Sequence, residues 1–282
     1  MLIVFALPKW YNYFHYKNTT NFSFGGKIVV DEKRQLMSCM LDLGKEMVQS
    51  GAEISRVEDT LVRIGLSYGA KRVNAFALAS NILLSIEFDG GEEITRTRRI
   101  TKGLQNDFSK LEALNDLSRR FCQKNMSVEE LHDEFVSICE RKPSVLLTYI
   151  GSALAAGAFA LFFGGAVYDA IVSAIFGILI CFMQYKLTPL CRNSITFIIV
   201  ASILSGLGTS LICYALEFLN PDKIMIGDIM LLVPGVAITN SVRDIFAGDT
   251  ITGTMRFIES LLSAAALAAG FMLAIFVAGG LL

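Results

Sequence analysis

The second half of this chain strings together four long apolar stretches and a fifth that proline interrupts, all after a charge-rich first half. The charge-poor runs at 144–168, 170–185, 193–216 and 257–282 sit at or near the roughly 20 residues a helix needs to cross a bilayer. A soluble domain would not carry so many such runs with so few charges between them. At 53% hydrophobic residues and mean hydropathy +0.53, the chain is too apolar for one soluble globule. It reads as an integral membrane protein with a soluble N-terminal domain.

Charge divides the same way. Residues 1–142 hold 20 of the 25 Lys and Arg and 19 of the 26 Asp and Glu. Neither part is strongly basic, so nothing points to a nucleic-acid partner. The six cysteines show no CxxC or ligand-like spacing, which argues against a disulfide framework or a metal site. Residues 1–30 have an apolar start without a basic n-region and read as a poorly ordered leader rather than a signal peptide.

From residue 31 apolar positions recur at helical spacing: Leu36, Met40, Leu43 and Met47, up to a stop at Gly51. A second helix is expected over 53–68. Strands are expected at 72–78, 81–88 and 93–99, the last two joined by the hairpin signal Asp89-Gly90-Gly91. Helices at 106–123 and 127–139 follow, the latter opened by the capping-box pattern Ser127-Val-Glu-Glu130. The expected class is therefore an α+β domain at 31–142, bounded by Pro143, followed by a bundle of five transmembrane helices. Those helices are placed at 144–163, 167–185, 193–216, 224–240 and 257–281.

The fourth membrane segment is unusual. Pro234 and Gly235 break it where the placement above sets the bilayer midplane. Broken helices build substrate sites in secondary transporters, although a plain proline kink has the same signature. Beyond the break lie Asn240, Arg243 and Asp244. A guanidinium can grip a substrate carboxylate, and Asp244 can tune it or merely pair with it at the interface. Asp228 and Glu259 are intramembrane carboxylates near helix ends, as is Asp169; such groups often carry protons or cations, and the bland alternative is that, so near the ends, they simply reach water. In the soluble domain Glu53, Arg56 and Thr60 share one helix face at three- and four-residue spacing, with Glu58 and Asp59 in the same run. Arg96 and Arg98 share a strand face, with Arg99 on the other. Together they suit a small-anion pocket or a surface ion-pair network. No GxSxG, HExxH, P-loop or Rossmann pattern occurs, so no catalytic residue, metal or cofactor is expected.

Three segments carry a resemblance. The runs Gly51-Ala-Glu-x-x-Arg56-Val-Glu58-Asp59-Thr60, Thr95-Arg96-x-x-Arg99 and Leu231-Leu232-Val233-Pro234-Gly235, continued by Asn240-Ser241-x-x-Asp244, resemble the threonine/serine exporter family. The size is that of the larger subunit of its two-polypeptide form. The resemblance implies a secondary exporter of small amino acids such as threonine and serine, or of a dicarboxylate such as succinate. It also implies a smaller second membrane subunit, and since five helices alone rarely enclose an alternating-access path, that partner or a homo-oligomer is expected. Two other classes are a membrane-anchored metabolite sensor and a membrane hydrolase. The first needs no broken helix, and the second lacks a nucleophile–base signature.

Orientation follows from the basic residues. Arg141, Lys142, Lys186, Arg192, Arg243 and Arg256 all fall on one side, while the segment from Glu217 to Lys223 opposes its one Lys with acids. The positive-inside rule puts the N-terminal domain in the cytoplasm of a cell (inner or plasma) membrane and Leu282 outside. A cysteine at Gly165 or Asp222, in a background without native cysteines, should react with an impermeant thiol reagent in intact cells. One at Asn193 or Gly248 should react only after permeabilisation. The reverse pattern would invert the topology.

Overall fold

The computed structural model describes residues 32–89, 91–101, 106–123, 126–141, 144–188, 191 and 193–281. The expected leader, Gly90 of the hairpin, the Pro143 boundary, and Lys142 and Arg192 of the orientation argument lie outside the described residues. Among the described residues, the first half folds as α1 (Glu32–Gln49), α2 (Ile54–Ser67), β1 (Arg72–Leu78), β2 (Asn81–Glu87), β3 (Glu93–Arg99), α3 (Phe108–Gln123) and α4 (Val128–Glu140). The strands form an antiparallel sheet in the order β1-β2-β3. Ile82, Leu84 and Ile86 alternate inward on β2 and meet Leu36, Met40, Leu43 and Leu61 of α1 and α2 in one continuous core. The other sheet face is open, leaving Phe76 and Leu83 exposed. The capping box at Ser127 and Glu130 is present as the sequence pattern predicts.

Register explains the arginines of β3. Arg98 pairs with Ile82 and Arg96 with Leu84, so both arginines lie on the core side of an edge strand. Their guanidinium groups reach α1, Arg96 to the Ser38 hydroxyl at 2.8 Å and Arg98 to Asp42 at 3.1 Å. Burial pushes the Asp42 carboxyl above its usual range, against the pull of Arg98.

The second half contains α5 (Val145–Phe162), α6 (Val167–Leu187), α7 (Ser194–Ala215), α8 (Pro221–Leu232), α9 (Gly235–Phe246) and α10 (Thr250–Leu281). Four of these, α5, α6, α7 and α10, are long and apolar enough to cross a membrane; α8 and α9 make a fifth candidate span bent by 47°. The break falls where Pro234 lacks an amide hydrogen, as the sequence requires. Two boundaries differ most from expectation. The fourth segment runs on to Phe246 instead of ending at residue 240, and α10 starts at Thr250 rather than at residue 257. The cause is close packing between the two. A Cβ on Gly253 would sit 2.8 Å from the Ser241 carbonyl oxygen, so the bare glycine lets α10 begin flush against α9. Arg243 and Arg256, expected in a loop, are therefore helical residues. At 32 residues, α10 is roughly 48 Å long, more than the hydrocarbon thickness.

Small residues set the helix spacing in the bundle. A Cβ on Gly177 of α6 would lie 2.7 Å from the Ser152 carbonyl oxygen of α5, and one on Gly206 of α7 would lie 2.7 Å from Ala274 of α10. Gly227 is the tightest point of α8, where an added Cβ would strike the Ser173 hydroxyl and come within 2.6 Å of the Ala156 carbonyl oxygen. Gly227→Ala should destabilise the protein by about 1–3 kcal/mol, because backbone cannot yield as a side-chain tip does. Gly151→Ala, facing open space on α5, should be neutral or mildly stabilising. Equal melting temperatures for the two variants in detergent would refute this packing account.

Candidate functional site

α1 stops in a Schellman motif. The Ala52 amide donates to the Met47 carbonyl at 3.0 Å and the Gly51 amide to that of Val48 at 3.2 Å, with Gly51 at φ +95°. The reversal thrusts the peptide groups of Gly51, Ala52 and Glu53 out of the α+β part and onto α9 and α10. There the Asn240 amide donates to the Gly51 carbonyl at 3.4 Å, and Arg256 Nη1 donates to the Ala52 carbonyl at 3.4 Å. The Glu53 carboxylate pairs with Arg243 and, at 3.3 Å, with Arg56. The Ile54 amide, at the N-terminus of α2, donates to Asp244 Oδ1 at 3.4 Å. Asp244 Oδ2 in turn accepts from Arg256 Nη1 at 2.7 Å, and both side chains are buried, at 1% and 3% exposure.

Two groups of sequence-predicted residues thus form one site. Glu53 and Arg56 from the first half line a cleft of about 200 Å³ together with Asn240 and Arg243 from the second. Asn115 of α3 adds an amide, and Met47, Phe108 and Leu111 supply an apolar wall. The cleft therefore presents a carboxylate, two guanidinium groups, two amides and an apolar surface to a ligand of a few heavy atoms.

Other candidates lie elsewhere. Arg96 and Arg98 face α1, Arg99 is exposed, and none of them faces Glu53; the helix-and-strand pocket does not form. The sheet order is the reason, because β2 and β1 separate β3 from α2. Glu58 accepts from the Ala77 amide at 2.7 Å and ties α2 to β1, and burial pushes its carboxyl up. Asp59 is exposed, and Thr60 is buried, its hydroxyl donating to the Arg56 carbonyl one turn back at 2.8 Å. Glu259 is exposed on α10. Asp169 is buried and accepts from the amides of Ala166 and Asn220, both at 2.8 Å, which closes the α5–α6 turn against the start of α8. Asp228 is fully buried in the bundle, with the hydroxyls of Ser173 and Ser205 donating to it at 3.2 and 2.8 Å. Pro234 and Gly235 lie on an open side of the bundle, with Val233 and Val236 exposed beside them. Burial pushes the Cys39 and Cys139 thiols up to about 12, so neither is a nucleophile at neutral pH. Among the described residues no group of His, Cys, Asp and Glu could hold a metal ion.

Sequence reasoning did not assign Arg256, Ser173, Ser205 and Asn115 to sites. Arg256 carried a signal, since it lies four residues after Thr252, on the same face of a helix that leads into the last apolar run. The buried pair predicts its own test. Asp244→Asn leaves Arg256 without its counter-charge and should cost about 3–5 kcal/mol. Asp244→Asn with Arg256→Gln should regain most of that loss in melting temperature. A double variant no more stable than the single one would show that the charge pair is not the source.

Comparison with known proteins places these features. The family model described as "Putative threonine/serine exporter" (ThrE) matches residues 38–278, from the middle of α1 to near the end of α10. The chain is similar to a protein of Klebsiella aerogenes named "Probable succinate transporter subunit YjjP", with 25% identity over 240 residues, 83% of this chain and 91% of that protein. It is also similar to the "Threonine/serine exporter" of Corynebacterium glutamicum, with 26% identity over 182 residues, 61% of this chain and 36% of that longer protein. No solved structure matches.

Proposed function

This chain belongs to the threonine/serine exporter family, and we propose from that premise that it is one subunit of a secondary exporter for a small carboxylate-bearing metabolite. The observation that carries the proposal is the cleft shared by Glu53, Arg56, Asn240 and Arg243, where the turn after α1 meets the helix that follows the Pro234 break. Opposite charges side by side suit a zwitterion. Arg243 would take the carboxylate, Glu53 the ammonium, and Asn240 or Asn115 a side-chain hydroxyl. Threonine and serine have these three groups. Succinate, named for the Klebsiella relative, is the second reading; it would place its second carboxylate on Arg56, at the cost of repulsion from Glu53.

The domain assignment of the sequence, 31–142 and 143–282, belongs to the same proposal, with the first part cytoplasmic and Leu282 outside. The cleft is then reached from the cytoplasm, as an exporter requires. A second membrane subunit follows from the break. Non-helical backbone at membrane depth persists only against protein or a water-lined cavity, and Val233, Gly235 and Val236 are exposed in the single chain. A smaller subunit of the same family or a second copy would cover them. A sensor that uses its helices only as an anchor is disfavoured by the polar contacts between the halves, the Glu53–Arg243 ion pair and the Ile54 amide on Asp244.

Counterflow of labelled threonine and of labelled succinate in proteoliposomes, with and without the partner, tests the reading. Arg243→Lys should lose most of the flux, because an ammonium cannot reproduce the planar two-donor fork. Pro234→Ala with Gly235→Ala should insert normally yet fail to transport. No flux of either substrate in the complete complex would reject the transport assignment, and wild-type flux in Arg243→Lys would reject its ligand role.

A further inference from the structure

Arg256 differs from the other arginines of the site. Arg243 is more than half exposed, so water can satisfy whatever Glu53 does not. Arg256 is buried at 3% exposure, and only its Nη1 is engaged, with Asp244 Oδ2 and the Ala52 carbonyl. Its Nε and Nη2 are buried and meet no hydrogen-bond partner among the described residues. The Thr252 hydroxyl is buried and unpartnered as well, four residues earlier on α10 and so on the same helix face. Unpaired donors of a buried cation are costly and rare in folded proteins.

We propose that Arg256 is a second carboxylate-binding station behind the cleft, taking a ligand's carboxylate side-on along its Nε–Nη2 edge with the Thr252 hydroxyl beside it. That edge is a planar pair of donors matched to two carboxylate oxygens. The guanidinium already holds one carboxylate, that of Asp244, at 2.7 Å. Access is through the turn after α1. Ala52 lines the cleft, and its carbonyl covers Arg256 Nη1. When that turn withdraws, the cleft opens onto the guanidinium, and a carboxylate held at Arg243 can pass inward to Arg256. The ligand class is a small carboxylate, the chemistry that amino acids and dicarboxylates share. The proposal rests on the transport reading only for its place on a path.

Titration calorimetry on the purified full-length protein, with L-threonine, L-serine, succinate and acetate as probes, tests the station without requiring transport. At least one probe should bind wild type. Arg256→Lys keeps the charge for Asp244 but lacks the two-donor edge, and should lose binding by more than roughly tenfold. Thr252→Val, nearly isosteric, should weaken binding several-fold with an unchanged melting temperature; it remains informative if the lysine variant does not fold. Wild-type affinity in folded Arg256→Lys, unchanged affinity in Thr252→Val, or no binding of any probe by wild type would each overturn the station. Counterflow that persists in those cases would leave the transport reading standing. Binding that depends on Arg256 without counterflow would reject transport and retain the station.

Discussion

The Asp244–Arg256 pair is the interaction on which the arrangement of the two halves depends. A buried ion pair is weak evidence for stability, since desolvation offsets much of the attraction. Its value here lies in direction. Asp244 receives a guanidinium from α10 and a backbone amide from the start of α2, so one carboxylate fixes the two last helices and the α+β part together. Removing either charge strands the other, which leaves few alternative packings for this end of the bundle.

Small residues complete what the ion pair begins. Gly253 lets α9 and α10 touch along their backbones, and Gly227 presses α8 against α5 and α6. Lipid gives apolar side chains no reason to leave it, so close backbone approach and hydrogen bonds supply the association. The hydroxyls that bind Asp228 and the amides that bind Asp169 are of that kind. The exposed surface left on α5 and around the Val233–Gly235 break is compatible with lipid in the first case and with protein or water in the second.

Much of the fold was legible because its signals are local. All three strands follow from period-two alternation, two of them to the residue, and the Pro234 break follows from a missing amide hydrogen. Helix starts at Thr250 and ends at Phe246 were not, since they depend on the contact between α9 and α10. The site divides in the same manner. Glu53, Arg56, Asn240 and Arg243 stood out as charged or polar residues in unusual company. Their union across about 190 positions of sequence is a tertiary fact that no spacing encodes. Arg256 was read only as a loop cation that sets orientation, because burial cannot be seen in a string. The arginines of β3 failed as partners of Glu53 for a topological reason, as a strand at the far edge cannot reach the helix over the near edge.

The length of α10 has a mechanical consequence. Its Arg256 end is held by the ionic network, and about 21 Å further along, Gly270 crosses α7 so closely that an added Cβ would strike the Ser202 hydroxyl. A stiff rod gripped at a tight crossing behaves as a see-saw. If the turn after α1 released its end of the rod, a tilt about Gly270 would carry the two ends in opposite directions. One face of the bundle would widen as the other narrowed.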